Sequence, residues 1–388
     1  MLSERATRTT PFTAMDVLER ANELDDVIHM EVGEPDFEPP AAVTETAVAA
    51  VRSGATGYTS SKGKPALREA IADYYDREYG VDVDTERIVV TPGSSAALLL
   101  SMLAVVDPGE TVALTDPYYA CYPNFVRQAG GRIETVPLSA ADGFQPQPGA
   151  FVDAFGPDTA AVLLNSPGNP TGAVLPGSTL AGIVESAERT DTVVVSDEVY
   201  HGLAYDEQEH SVLEYTDDAF VLDGVSKRFA MTGWRLGWMV VPEAYADAVN
   251  RISQNVLICA PNFVQDAAET ALELPTDWRE DIRDTYRDRR DQLLDVVADW
   301  GLDMGYTPGG AYYLLVDVGD LPGDAFEIAS LFLEDAGVAM TPGPDFGENA
   351  ADALRISYAT TQENIAEAGR RIDSLLETVE ERPAGQLK

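Results

Sequence analysis

The sequence predicts an α/β fold, with a large domain built on a mostly parallel sheet between helices and a smaller α+β domain beside it. Three observations carry this. Short, near-continuously apolar segments alternate with helical stretches, polar residues gather directly after those segments, and the pattern changes after Pro275. Apolar runs of strand length without a polar face belong to strands covered on both sides, and their alternation with helices makes the sheet parallel.

Taken in order, Ile88–Thr91 and residues 111–115, 160–165 and 192–196 read as buried strands, with helices at 95–106 and 178–189 between them. A further strand spans 236–241. A long charged helix at 278–300 then leads to an alternating, strand-like run at 309–316, and more helix and strand follow to residue 376. The expected division is an N-terminal segment at 1–40 that joins the small domain, a large domain at 41–275 and a small domain at 276–388. The polar residues that matter fall at strand ends: Asp116-Pro117-Tyr118-Tyr119, Asn165-Ser166-Pro167 and Ser196-Asp197-Glu198. In open α/β sheets, ligands bind at the carboxyl ends of the strands.

Lys227 is the most informative single residue. The chain holds only four lysines, and this one sits in Ser226-Lys227-Arg228-Phe229-Ala230-Met231-Thr232-Gly233-Trp234-Arg235. An imine-forming lysine needs such a setting, because burial and like charge favour a neutral amine. Thr91-Pro92-Gly93-Ser94-Ser95 reads as strand, turn and helix start, an anion cradle of free N–H groups with two hydroxyls; its bland alternative is an ordinary serine cap. It lacks the Gly-Lys-Ser/Thr of a P-loop. Residues 165–172 are dense in turn formers, which either simply turn the chain or aim Asn169 into the crevice. Asp197 ends an apolar strand, where a carboxylate needs a cationic partner such as a protonated ring nitrogen, unless it merely caps a helix. Tyr200 lies three residues on. Arg235, eight residues after Lys227, suits a phosphate, and Arg355, inside an apolar strand-like run, suits a bidentate carboxylate clamp. For both arginines the plainer reading is a structural ion pair.

Composition narrows the classes. Acidic residues outnumber basic ones 66 to 26, for a formal charge of −40 spread along all 388 residues. Phosphate backbones and anionic membrane surfaces need a cationic face, so nucleic acid and membrane partners are excluded. Such an acid excess with few lysines predicts a high-salt, halophile-type cytoplasm, where screening relieves self-repulsion. Two cysteines are too few for a disulfide framework, no apolar run reaches membrane-spanning length, and the N-terminal stretch lacks a secretory h-region, so a cytoplasmic location is expected.

Together these segments resemble one family. The strings Val32-Gly33-Glu34-Pro35-Asp36-Phe37, Gly57-Tyr58, Asp116-Pro117-Tyr118-Tyr119, residues 165–172, Ser196-Asp197-Glu198-Val199-Tyr200, residues 226–237 and Arg355-Ile356-Ser357-Tyr358 occur in the order found in class I/II aminotransferases. These are the pyridoxal-phosphate enzymes of fold type I, which include the aspartate aminotransferases. The resemblance implies a seven-stranded sheet and transamination between an L-amino acid and a 2-oxo acid by a ping-pong mechanism. Lys227 is then the catalytic lysine that carries pyridoxal 5'-phosphate and moves the proton. Asp197 pairs with the ring nitrogen, Asn169 and Tyr200 bond the phenolic oxygen, and Tyr119 stacks on the ring. Ser94, Ser95 and Arg235 hold the phosphate, joined by Tyr58 of the partner subunit, which implies a homodimer with shared sites. Arg355 clamps the substrate α-carboxylate, and Gly33 and Asn169 line the substrate pocket.

Two departures from the family pattern bear on substrate. Gly224 stands where many relatives place a phosphate-binding serine, and Ser95 stands where aspartate-using relatives often have a lysine that reads the distal carboxylate. Aspartate, aromatic, alanine and branched-chain donors all stay open, with 2-oxoglutarate the acceptor by analogy. Rival readings are another enzyme of the same fold (a C–S β-lyase, a decarboxylase or a cyclase), a serine hydrolase built on Ser61-Lys62-Gly63-Lys64, and a non-enzymatic regulator. The hydrolase lacks its Lys-Thr-Gly partner motif, and the regulator lacks room for a helix-turn-helix before Val32. His29, His201 and His210 show no metal-ligand spacing, so no metal is expected.

Overall fold

The computed structural model describes residues 2–302 and 304–380. Its strands, in chain order, are β1 (Ile28–His29), β2 (Ile88–Thr91), β3 (Thr111–Asp116), β4 (Arg132–Pro137), β5 (Thr159–Asn165), β6 (Val193–Asp197), β7 (Ala219–Gly224), β8 (Gly237–Val240), β9 (Tyr313–Asp317), β10 (Val338–Ala339), β11 (Thr341–Pro342) and β12 (Ala353–Ser357).

Seven of them form one sheet in the order β2-β8-β7-β6-β5-β3-β4. Four neighbouring pairs are parallel, and β8 alone runs against both β2 and β7. Successive residues feed two different cores. Val90, Ala219 and Val221 join the apolar cluster on one face, while Val89, Phe220 and Leu222 join that on the other. Burial on both faces is why these strands are apolar throughout and not alternating. Because β8 is reversed, its N-terminal end lies at the same sheet edge as the carboxyl ends of β2, β5, β6 and β7.

A third apolar cluster forms around the three-stranded sheet β11-β12-β9 and the helix Thr276–Asp299, which contributes Ile282, Tyr286, Leu293 and Val297 on one stripe. Four residues from the polypeptide after β6, Val199, Tyr200, Leu203 and Tyr205, reach into this cluster. The N-terminal segment is tied to it by backbone and side-chain contacts. β1 pairs in parallel with β10, and Arg289 makes a bidentate pair with Asp36 at 2.7 and 2.8 Å.

One expected element differs. Residues 309–316 do not form an alternating strand. The strand starts at Tyr313, and its first four residues are all buried, Tyr313 to Val316. Gly309 and Gly310 instead both donate to Gly172 O at 2.9 Å, and a Cβ on Gly310 would meet Leu203 O at 2.8 Å. The close approach of two backbones, and not a one-sided strand, is what these glycines serve.

Candidate active site

The shared edge of the large sheet opens into a cavity of about 220 Å³. Its floor is set by strand ends that are stitched together. Asn165, ending β5, donates from Nδ2 to Asp197 O at 2.8 Å and accepts from Asn169 N–H at 2.8 Å. One amide side chain thus fixes both the carboxylate strand and the turn that carries Asn169.

Asp197 is 7% exposed and takes its hydrogen bonds from neutral donors, Tyr122 O–H at 2.8 Å and Val199 N–H at 3.3 Å. Burial pushes its pKa up to about 6, against those two hydrogen bonds and the positive charge of Lys227. Lys227 follows the end of β7 by three residues. Its Nζ donates to Gly33 O at 2.9 Å and lies 5.7 and 5.9 Å from the ring centres of Tyr200 and Tyr312. Tyr312 O–H also donates to Gly33 O, at 3.1 Å. Arg228, next in the chain, turns away into the core, where its guanidinium pairs with Asp223 and Tyr74.

At the end of β2 the chain enters the helix Ser94–Val105 through Gly93, at φ +85° and with no side-chain cap. Ala96 N–H donates to Gly93 O at 3.2 Å, and the N–H groups of Ser94 and Ser95 before it are left for an anion at the positive end of the helix dipole. Arg235 completes this corner. A Cβ on Gly93 would stand 2.5 Å from Arg235 Nη2, so the guanidinium lies directly over the helix start. Arg235 itself has φ +55°, an uncommon backbone for a non-glycine residue, and Nη1 donates to Thr232 O at 2.8 Å. An exposed cation, free N–H groups and the Ser94 and Ser95 hydroxyls together make an anion site.

On the opposite side, Arg355 of β12 is 2% exposed. It donates from Nη1 to Asn169 Oδ1 at 3.1 Å and from Nη2 to Glu31 O and Thr341 Oγ1, and its guanidinium stacks on Tyr313 and Phe346 at 4.7 and 4.8 Å. Its Nε has no hydrogen-bond partner among the described residues. The Tyr200 hydroxyl bonds the Tyr313 hydroxyl at 2.9 Å and lies 3.5 Å from Asn169 Nδ2. The fold thus gathers an anion site, a buried carboxylate, an amine and a guanidinium suited to a second anion around one space.

Ten residues singled out in the sequence line this cavity: Gly33, Ser94, Ser95, Tyr119, Asn169, Asp197, Tyr200, Lys227, Arg235 and Arg355. Tyr58 does not; it is 85% exposed, away from the cavity of its own chain. Sequence reasoning passed over Tyr122, Tyr313, Phe12 and Met15. Tyr122 stands three residues after Tyr119 and Tyr313 lies in a run already noted, but the N-terminal pair carries no local signal. Of the rival readings, the Ser61–Lys64 hydrolase finds no support: Lys62 Nζ is bound to Glu86 and Lys64 Nζ to Asp266.

The aminotransferase class I and II family profile matches residues 25–372. The chain belongs to the class I and II aminotransferases. It is 34% identical over 384 residues to the (5-formylfuran-3-yl)methyl phosphate transaminase of Methanocaldococcus jannaschii, covering 97% of this chain and 100% of that protein. It is 37% identical to the valine–pyruvate aminotransferase of Mycobacterium tuberculosis, over 94% of this chain and 96% of the relative. Among solved structures, the aspartate aminotransferase of Thermus thermophilus with maleate superposes with a TM-score of 0.93 at 36% identity, over 97% and 99% of the two chains. The fold is therefore that of fold type I, and the protein is an aminotransferase, from a family that uses pyridoxal phosphate to move an amino group between an amino acid and a 2-oxo acid. The relatives share the reaction and differ in substrate, so the donor is a question for the site.

Proposed function

We propose that this aminotransferase binds pyridoxal 5'-phosphate in the cavity at the sheet edge and cycles between L-amino acid and 2-oxo acid by a ping-pong mechanism. The observation that carries the reading is that Lys227 Nζ, the buried Asp197 carboxylate and Arg355 face one space. The residues fit the group: the helix start with Ser94, Ser95 and Arg235 suits its phosphate, and Asp197, supplied only with neutral donors, suits its ring nitrogen. Asn169 and Tyr200 are placed for the phenolic oxygen, and Tyr119 for the ring face. The bound cofactor supplies the aldehyde and the electron-accepting ring.

The protein's own groups do the rest. Arg355, already oriented by Asn169, Glu31 and Thr341, holds the substrate α-carboxylate beside Gly33 and Asn169. Lys227 Nζ, which donates to Gly33 O at 2.9 Å, is the group placed to take the α-proton. Asp197 would keep the ring nitrogen of the bound cofactor protonated by pairing with it.

The same reading makes the enzyme a homodimer, with Tyr58 of the partner subunit completing the phosphate site. Its exposure of 85% outside its own cavity supports this. The reading also divides the chain at 41 and 276, with residues 1–40 joining the small domain, and places it in a high-salt cytoplasm. No helix among the described residues is long and apolar enough to cross a membrane.

The test is Lys227→Ala. The variant should lose the visible absorbance of the cofactor-loaded protein and nearly all turnover, and borohydride reduction of the wild type should leave the cofactor on the peptide containing residue 227. Full transamination by the variant would end the proposal.

A further inference from the structure

The wall of the cavity carries information about the donor that the reaction class does not. Three side chains lining it are cationic, Lys227, Arg235 and Arg355. On the function proposed above, on which this inference rests, each is committed: to the cofactor, to its phosphate and to the α-carboxylate. A second carboxylate on the donor therefore finds no cation of this chain to receive it. It finds instead Phe12, Met15, Val32 and Leu98.

These apolar residues are held in place. Thr13 donates to Asp345 from both N–H and Oγ1, each at 2.7 Å, which pins the start of the helix Thr13–Ala21 and with it Phe12 and Met15. Phe12 stands edge-on to Tyr119 at 5.9 Å and packs with the cluster containing Phe346. Arg355 stacks on that same Phe346. The apolar wall thus adjoins the guanidinium that fixes the α-carboxylate, where a donor side chain must go. Apart from Arg355, the charged side chain bonded to this segment has the wrong sign for a dicarboxylate: Asp345, which accepts from Thr13.

We infer that the donor is a monocarboxylic L-amino acid with an apolar side chain, and that Phe12 and Met15 are specificity-determining residues. Phe12 is part-buried and Met15 is 44% exposed in this chain, so a carboxylate set against them is partly desolvated with no cation of this chain beside it, which costs more than leaving a methylene unfilled.

Half-reactions of the cofactor-loaded enzyme in molar KCl, followed by the absorbance of the cofactor, test this. Leucine or phenylalanine should exceed aspartate and glutamate in kcat/KM by about 10-fold or more. Calorimetry gives a readout apart from turnover: 3-phenylpropionate should bind more tightly than maleate. Met15→Arg should raise the aspartate-to-phenylalanine ratio by about 10-fold, the scale of one added charge pair. Aspartate or glutamate matching the apolar donors, or maleate outbinding 3-phenylpropionate, would overturn the inference while leaving the proposed site intact. An unchanged ratio in Met15→Arg would remove Met15 from the role. Spectral silence toward every donor would overturn the proposed site itself.

Discussion

A carboxylate at the end of a buried strand is held against its own solvation, and Asp197 shows what that implies. Its folded pKa stands raised to about 6 from an ordinary 3.8, with burial the largest cause. The sign follows from linkage. A raised folded value favours the protonated form, so the apo fold keeps this contribution to stability below 3.8 and loses it as pH rises through about 6. A cationic ligand reverses the preference, because it pairs only with the ionised carboxylate. Affinity of the apo protein for pyridoxal 5'-phosphate is therefore expected to increase as pH climbs through about 6, and to do so less steeply in Asp197→Asn. Fluorescence titration of apo protein across this range checks it; an equal slope in both proteins would show that Asp197 does not face the ring nitrogen. Turnover of Asp197→Asn should fall by about 10²-fold, the usual scale for removing one preorganised electrostatic partner. Tyr122 and Val199 keep the residual carboxamide in place, so the loss should be one of charge and not of position.

At the scale of elements, the site depends on how closely β7, β8 and the helix Ser94–Val105 approach. Gly224 of β7 pairs with Gly237 of β8. A Cβ on Gly237 would meet Ser94 N at 2.7 Å, Asp223 O at 2.8 Å and the Gly93 carbonyl carbon at 2.9 Å, all of them backbone atoms that cannot swing aside. Gly237→Ala is thus expected to push the helix start away, costing about 1–3 kcal/mol of stability as an overpacked core substitution does. It should also weaken cofactor binding, since the displaced N–H groups face the proposed phosphate. Denaturant titration and cofactor affinity measured together check this; lost stability with unchanged affinity would separate the helix start from the phosphate. Gly224 is similarly confined. A Cβ there would stand 2.9 Å from Leu236 O, so its missing hydroxyl relative to many family members is matched by a lack of room for one. Such contacts explain what the sequence made legible. β2, β3, β5 and β6 announced themselves because both faces are buried, Asp197 and Arg355 because charge at the end of such a strand, or within one, demands a partner, and Lys227 because it is one of only four lysines and sits among apolar, aromatic and cationic residues. β4 did not, since it is the sheet edge and most of its residues are exposed. β7 did not because Asp223-Gly224 is a turn-forming pair by composition, whereas in the fold both residues pair with β8 and Asp223 is buried against Arg228. Phe12, Met15 and Tyr313 reach the cavity through long-range packing, which no local pattern records.

For the whole molecule, the charge of −40 sets the terms of stability. Many of its ion pairs are exposed, such as Arg8–Glu4 and Arg189–Glu185, and exposed pairs contribute little. What remains is the unpaired acidic excess, whose mutual repulsion reaches across the surface at low salt. The screening length is about 10 Å at 0.1 M and about 3 Å at 1 M, so molar salt confines each carboxylate to its near neighbours. Unfolding moves the charges apart, and repulsion therefore penalises the folded state more than the unfolded one. The melting temperature is expected to rise with KCl between those concentrations by at least about 5 °C, corresponding to about 4 kcal/mol for a chain of this size. NaCl at equal ionic strength should reproduce most of the rise, because screening depends on charge and not on ion identity. A melting temperature that stays flat or falls with salt would contradict the high-salt setting, and would mean that the acidic surface is tolerated at ordinary ionic strength by the apolar cores on the two faces of the large sheet.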